Sequence, residues 1–170
     1  MPTTFTQIGT AQVVGSGGAA SINFTSIPNT YTDLCVLYSI RVNSTNDLLL
    51  MSFNGVTTGY TNRWVYGNGS SASSSGNSGF ERLVAWVDTT DNTASTFGNA
   101  QTYIPNYAGS TYKSYLTDFV SENNATGAEA GFMASLWSNT AAITSIKIEH
   151  TAGANILEHS TAYLYGVSNA

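Results

Sequence analysis

The chain has 170 residues; Ser, Thr and Asn supply 60 of them and Lys, Arg, Asp and Glu together only 15, against 42% hydrophobic and 12% aromatic residues. That balance excludes the highly charged, aromatic-poor class of disordered chains, and a single domain of this length buries about 70% of the surface its unfolded chain exposes. It needs no covalent staple, and the single cysteine, Cys35, offers no internal disulfide. Arg41, Arg63, Arg82, Lys113 and Lys147 are the only basic residues and stand apart in a chain of net charge -5, so nucleic acid is not an expected partner. No membrane partner is expected either: the longest apolar runs, 34–38 and 83–87, fall far short of the roughly 18 residues of a helical span. Residues 1–10 carry no basic residue and no apolar run, so no secretory signal is expected and the protein reads as soluble.

In chain order, residues 1–20 read as an N-terminal arm and first strand region, ahead of one β-sandwich domain over 21–170. Residues 15–20 (GSGGAA) loosely match the opening of a dinucleotide-binding loop, but Ile22, Phe24 and turn residues follow where a crossover helix should, so the segment reads as a turn. The strongest strand is 34–42, where Leu34, Val36, Tyr38, Ile40 and Val42 share one face and Cys35, Leu37, Ser39 and Arg41 the other. Further strands are expected at 48–53, 59–66, 80–87, 96–104, 111–121, 143–150 and 156–167. Asn54-Gly55 sits between two of them as a hairpin turn would, because both residues tolerate positive φ, and Pro105-Asn106 and 152–155 punctuate later ones.

Two segments resist a simple reading. Residues 125–142 place Phe132, Met133, Leu136 and Trp137 at helical spacing and Ala130, Phe132, Ala134 and Leu136 at strand spacing; Gly131 and the flanking strands favour a strand. Residues 67–79 (GNGSSASSSGNSG) are low in complexity and too polar to pack, and read as a long mobile loop. Many short strands with Gly, Ser and Asn turns and no crossover helix imply an all-β, antiparallel β-sandwich, of which the jelly roll is the expected type.

Candidate chemistry is sparse. His150 and His159, each preceded by a glutamate, flank the 152–155 turn. A hairpin turning at Ala154-Asn155 would set His150 opposite His159, and one turning at Gly153-Ala154 would pair Glu149 with Glu158; the residues leave both registers open. The first arrangement has zinc-ligand chemistry and the second the paired carboxylates of a glycosidase, but polar groups at a hairpin end are the plainer reading, so no metal, no cofactor and no catalytic residue is expected. Asp88, Asp91 and Asn92 offer oxygens to calcium without the glycine and distal glutamate of an EF-hand loop, and read as a solvated loop. No Gly-x-Ser-x-Gly elbow marks a serine nucleophile. Tyr60, Trp64 and Tyr66 fall on one strand face; core packing is the ordinary use of such a row, and stacking on a sugar is the other.

The segments 103–111 (YIPNYAGST) leading to Lys113-Ser114, then 121–126 (SENNAT), 143–146 (ITSI) and 160–167 (STAYLYGV), together resemble small jelly-roll virion proteins of tailed bacteriophages, with the capsid decoration proteins of cyanophages nearest in character. The opening 13–20 (VVGSGGAA) and 24–28 (FTSIP) are similar to the same group. The resemblance implies a jelly-roll protomer, commonly a homotrimer, that cements the outer surface of the capsid by binding the major capsid protein, or else projects from a tail fibre. On the capsid role the protein is not an enzyme, its location is the outer face of the virion, and residues 1–10 are a polar arm placed to order on a neighbour. On the fibre role Trp64 and Tyr66 would bind a host surface glycan.

Overall fold

The computed structural model describes residues 4–76, 82–124 and 127–168. Among these residues the secondary structure is entirely strand and turn: β1 (Phe5–Gln7), β2 (Gln12–Val13), β3 (Ser21–Phe24), β4 (Asp33–Ile40), β5 (Leu48–Phe53), β6 (Tyr60–Gly67), β7 (Ala72–Ser75), β8 (Leu83–Trp86), β9 (Gly98–Ile104), β10 (Lys113–Glu122), β11 (Ala128–Trp137), β12 (Ile146–His150) and β13 (Thr161–Val167). Every strand pair is antiparallel. They form a nine-stranded sheet in the order β1-β13-β4-β9-β10-β11-β6-β7, with β2 also on β13, and a four-stranded sheet in the order β3-β12-β5-β8. The two pack face to face as the expected all-β sandwich, around one apolar core.

Period-two alternation explains how each strand contributes. In β4, Leu34, Val36, Tyr38 and Ile40 are buried while Leu37 and Ser39 stay half-exposed. In β10, Tyr115, Thr117 and Phe119 point inward and Ser114, Leu116, Asp118 and Val120 outward. From the smaller sheet Met51, Phe53, Ile146 and Ile148 meet this inner face. Phe53 is the hub, with ring centroids 5.3 Å from Tyr115, 5.4 Å from Trp137 and 5.9 Å from Tyr60. Edge-to-face pairs of this kind add about 0.5–1.5 kcal/mol each beyond the area they bury.

The ambiguous 125–142 segment contains a strand. β11 pairs with β10 from Lys113↔Trp137 to Glu122↔Ala128 and with β6 on its other side, and backbone ladders on both edges override the helical spacing of its large side chains. Gly131 permits the close packing here: a Cβ on it would lie 2.6 Å from both the Phe119 ring and the Val65 carbonyl oxygen.

Four expectations are corrected. Part of the serine-rich loop is a strand: β7 pairs with β6 from Trp64↔Ser75 to Gly67↔Ala72, and residues 77–79 lie outside the described residues. All four β7 side chains are exposed, because a ladder needs only backbone groups from its edge strand. Asn54 and Gly55 adopt positive φ and Val56 N–H donates to Phe53 C=O, so the turn forms, yet it joins β5 of one sheet to β6 of the other and closes no long hairpin. The Asn54 amide instead ties this crossing to the approach to β12, donating to Ala142 C=O and accepting from the Thr144 and Ser145 N–H groups. The 150–159 hairpin is absent in both registers, because β12 and β13 lie in different sheets and the connection passes between them through Ile156, which bridges to Ala19 and Val42. Finally, Phe5–Gln7 is no free arm but an edge strand on β13, extended by Ile8 N–H to Leu164 C=O; residues 1–3 lie outside the described residues.

Candidate functional site

Each candidate from the sequence has a definite place in this sandwich. Trp64 and Tyr66 point to the inner side of β6 and are half-buried against Trp86 of β8, Trp64 edge-on at 5.6 Å and Tyr66 stacked at 5.5 Å; Trp86 packs in turn on Phe119 at 4.8 Å. One face of each ring is therefore already committed to the sandwich. Tyr66 also lines a shallow groove of about 430 Å³ with Val65, Ala72, Gly131 and Phe132.

The histidines and glutamates separate. His150 is buried, its Nε2–H donating to Asn46 C=O at 2.8 Å while Nδ1 accepts from the Ala152 and Ala154 N–H groups at 3.2 and 3.4 Å, a pattern that pins the turn after β12. His159 is exposed at φ 71°, and Glu158 is exposed beside it. Glu149 is held by Arg82 at 2.8 Å and Lys147 at 2.6 Å. Burial alone would raise its carboxyl, but the hydrogen bonds and charges of Arg82 and Lys147 outweigh that and hold it below the usual range. The described residues contain no group of three or more His, Cys, Asp or Glu side chains placed to hold a metal ion.

Oxygens at the end of the 88–92 loop and just beyond it do gather around a cation, and the cation is a side chain. Arg41 is only 8% exposed, and its guanidinium donates to Asn92 C=O at 3.0 Å, Thr93 C=O at 2.8 Å, Thr96 C=O at 3.0 Å and Thr96 Oγ1 at 3.2 Å. Asp88, fully buried, accepts from Ser121 Oγ at 2.6 Å. Next to this loop a polar groove of about 390 Å³ is lined by Asp47, Asp91, Asn68, Ser121 and Glu129. Burial raises the Asp47 carboxyl, and burial followed by the Asp47 charge raises that of Glu129, so the groove already carries more negative charge than it favours.

The outward side of the nine-stranded sheet is a broad exposed surface. Register places Val65, Phe132, Asp118, Gln101, Leu37 and Tyr163 in one row across β6, β11, β10, β9, β4 and β13. The next row is Arg63, Ala134, Leu116, Tyr103, Cys35 and Tyr165. Phe132 is 58% exposed, Val65 49%, Leu116 48% and Val120 41%. Over β10, β9, β4 and β13 the face sinks into a groove of about 500 Å³, lined by Leu37, Gln101, Asp118, Val120, Tyr163 and Tyr165 among others. Cys35 lies buried in this sheet, its thiol pushed up to about 11 by burial and then by the Asp118 charge.

Comparison with protein-family models, with curated proteins and with solved structures gives no match for this chain. What the chain can do is therefore read from its own surface. An outward face of exposed apolar side chains, tyrosines and neutral amides has the composition of a contact surface, in which charges are sparse and large side chains frequent. Leu116, Val120 and Phe132 were not singled out from the sequence, because β10 and β11 carry apolar residues on both faces and alternation alone does not say which face is covered. That double-sided apolar character was itself the usable signal.

Proposed function

We propose that the chain is a structural virion protein of a tailed phage, which binds the outer surface of the capsid as a decoration, or cement, protein and acts as a homotrimer of jelly-roll protomers. The observation that carries this reading is the outward face of the nine-stranded sheet, broad and sparsely charged, with Val65, Leu116, Val120 and Phe132 exposed on it. Such a surface loses little desolvation energy when covered by a neutral partner, which suits permanent assembly better than steered, transient encounter. A protein that binds only the assembled shell, through the major capsid protein, stabilises it by mass action at every site and needs no chemistry. The resemblance of 103–111, 121–126 and 160–167 to decoration proteins points the same way. The jelly-roll type is supported by the chain's repeated passage from one sheet to the other between β2 and β6.

The second reading, a tail-fibre module that binds a host surface glycan, keeps one specific observation: Tyr66 lines an apolar groove beside Phe132. Immunogold electron microscopy of the source phage, with antibody against the purified protein, separates the two. Label spread over the heads is the expected result. Label confined to tail tips would overturn the capsid role in favour of the fibre.

A further inference from the structure

The outward face of the nine-stranded sheet divides into a ridge and a groove. Val65 and Phe132 stand as direct cross-strand partners on β6 and β11, with Leu116 on β10 one row along, and form the ridge. The groove begins at Asp118 and runs over Gln101 and Leu37 to Tyr163 and Tyr165. A third row, Gly67, Ala130, Val120, Asn99, Ser39 and Thr161, completes the surface. We propose that this face joins copies of the chain head to tail, the Val65, Leu116 and Phe132 ridge of one copy seated in the Leu37, Tyr163 and Tyr165 groove of the next.

The charge pattern selects a second copy as the occupant. In the three rows the only charged side chains are Arg63, beside the ridge, and Asp118, at the lip of the groove. They are opposite in sign, and among the described residues neither takes part in an ion pair. A ridge laid into a neighbouring groove brings Arg63 of one copy towards Asp118 of the other, so the surface complements itself in charge as well as in shape. Head-to-tail contacts either close as a ring or run on as a filament, and the trimer proposed above is the closed form. Only that last step rests on the proposed trimer; the choice of face needs nothing of the capsid.

The test is sedimentation velocity of the purified full chain across the micromolar range, with circular dichroism and urea unfolding to verify the fold of each variant. Wild type is expected to be an oligomer. The double variant Phe132→Thr with Leu116→Thr, which keeps good strand formers on an exposed face, is expected to weaken association at least about tenfold without lowering the unfolding midpoint at concentrations where the wild type is dissociated. Arg63→Asp and Asp118→Arg should each weaken it, and the two combined should restore it. A wild type that stays monomeric throughout overturns the proposal, the more so if the double variant then loses binding to capsids, which would give the face to the major capsid protein. A wild-type oligomer that all of these variants leave intact overturns the face while leaving self-association itself standing.

Discussion

Arg41 and Lys113 are both buried with no carboxylate partner among the described residues. Lys113 is fully buried and donates from Nζ to Gly109 C=O at 2.6 Å and Thr111 C=O at 2.5 Å; burial pushes its amine below the usual range. Each cation closes one loop by binding its backbone carbonyls in charge-assisted hydrogen bonds. Glu149 works in the opposite sense, as a carboxylate stabilised by two cations, and its behaviour with pH follows in sign. Its folded pKa lies below its unfolded value, so the stability it contributes is present above the unfolded carboxyl range and disappears as pH falls through the folded pKa. Glu149→Gln should therefore cost about 1 kcal/mol at neutral pH, reduced from a fully buried pair because these side chains are partly solvated, and the cost should fade below about pH 4. Urea unfolding of both proteins from pH 7 to pH 3 measures it; a difference that persists unchanged into acid would contradict the assigned role. At this scale the sequence was least informative. Glu149 and Arg82 are distant in sequence, and nothing in the separate residues announces that Arg41 would bind the carbonyls of Asn92, Thr93 and Thr96.

Among the elements, the ladder of β9, β10, β11 and β6 carries the structure on which the outward face depends. Gly131 is its tightest point, because Phe119, Tyr66 and the Val65 backbone all approach where a side chain would stand. Gly131→Val should cost about 2–4 kcal/mol in urea unfolding, since the Val65 carbonyl cannot move without breaking the ladder to β11. A variant as stable as wild type would show that the strand spacing relaxes freely. Most strands were legible, since β9 and β10 follow period-two alternation closely and β5 is a short apolar run, and Gly131 correctly weakened the helix reading of 125–142. Pairing partners were less so. A turn such as Asn54-Gly55 specifies its own φ angles, but which sheet the chain enters next is decided by burial of Phe53 and Tyr60 and by the distant amide bonds of Asn54. β7 was missed because an edge strand of serines contributes backbone hydrogen bonds and no apolar signal.

For the molecule as a whole, the exposed apolar surface lies on the side of the larger sheet that faces away from the smaller one. One side of the nine-stranded sheet holds the core and the other presents Val65, Leu116, Val120 and Phe132 to solvent. The fold class was readable from composition and turn chemistry, because frequent strands with Gly, Ser and Asn turns have few other solutions. The outward face was not, since burial of a strand face depends on what packs over it and not on the strand alone. Core packing is the ordinary use of the Trp64 and Tyr66 row, and Trp86 of β8 packs against both rings. The central claim, that this surface serves a shell-stabilising protein, is tested most directly by melting undecorated capsids with increasing amounts of the purified protein in a scanning calorimeter. The account predicts a rise in the shell's melting temperature that saturates once every site is filled. An unchanged transition, with the protein left in the supernatant after the capsids are pelleted, would contradict it.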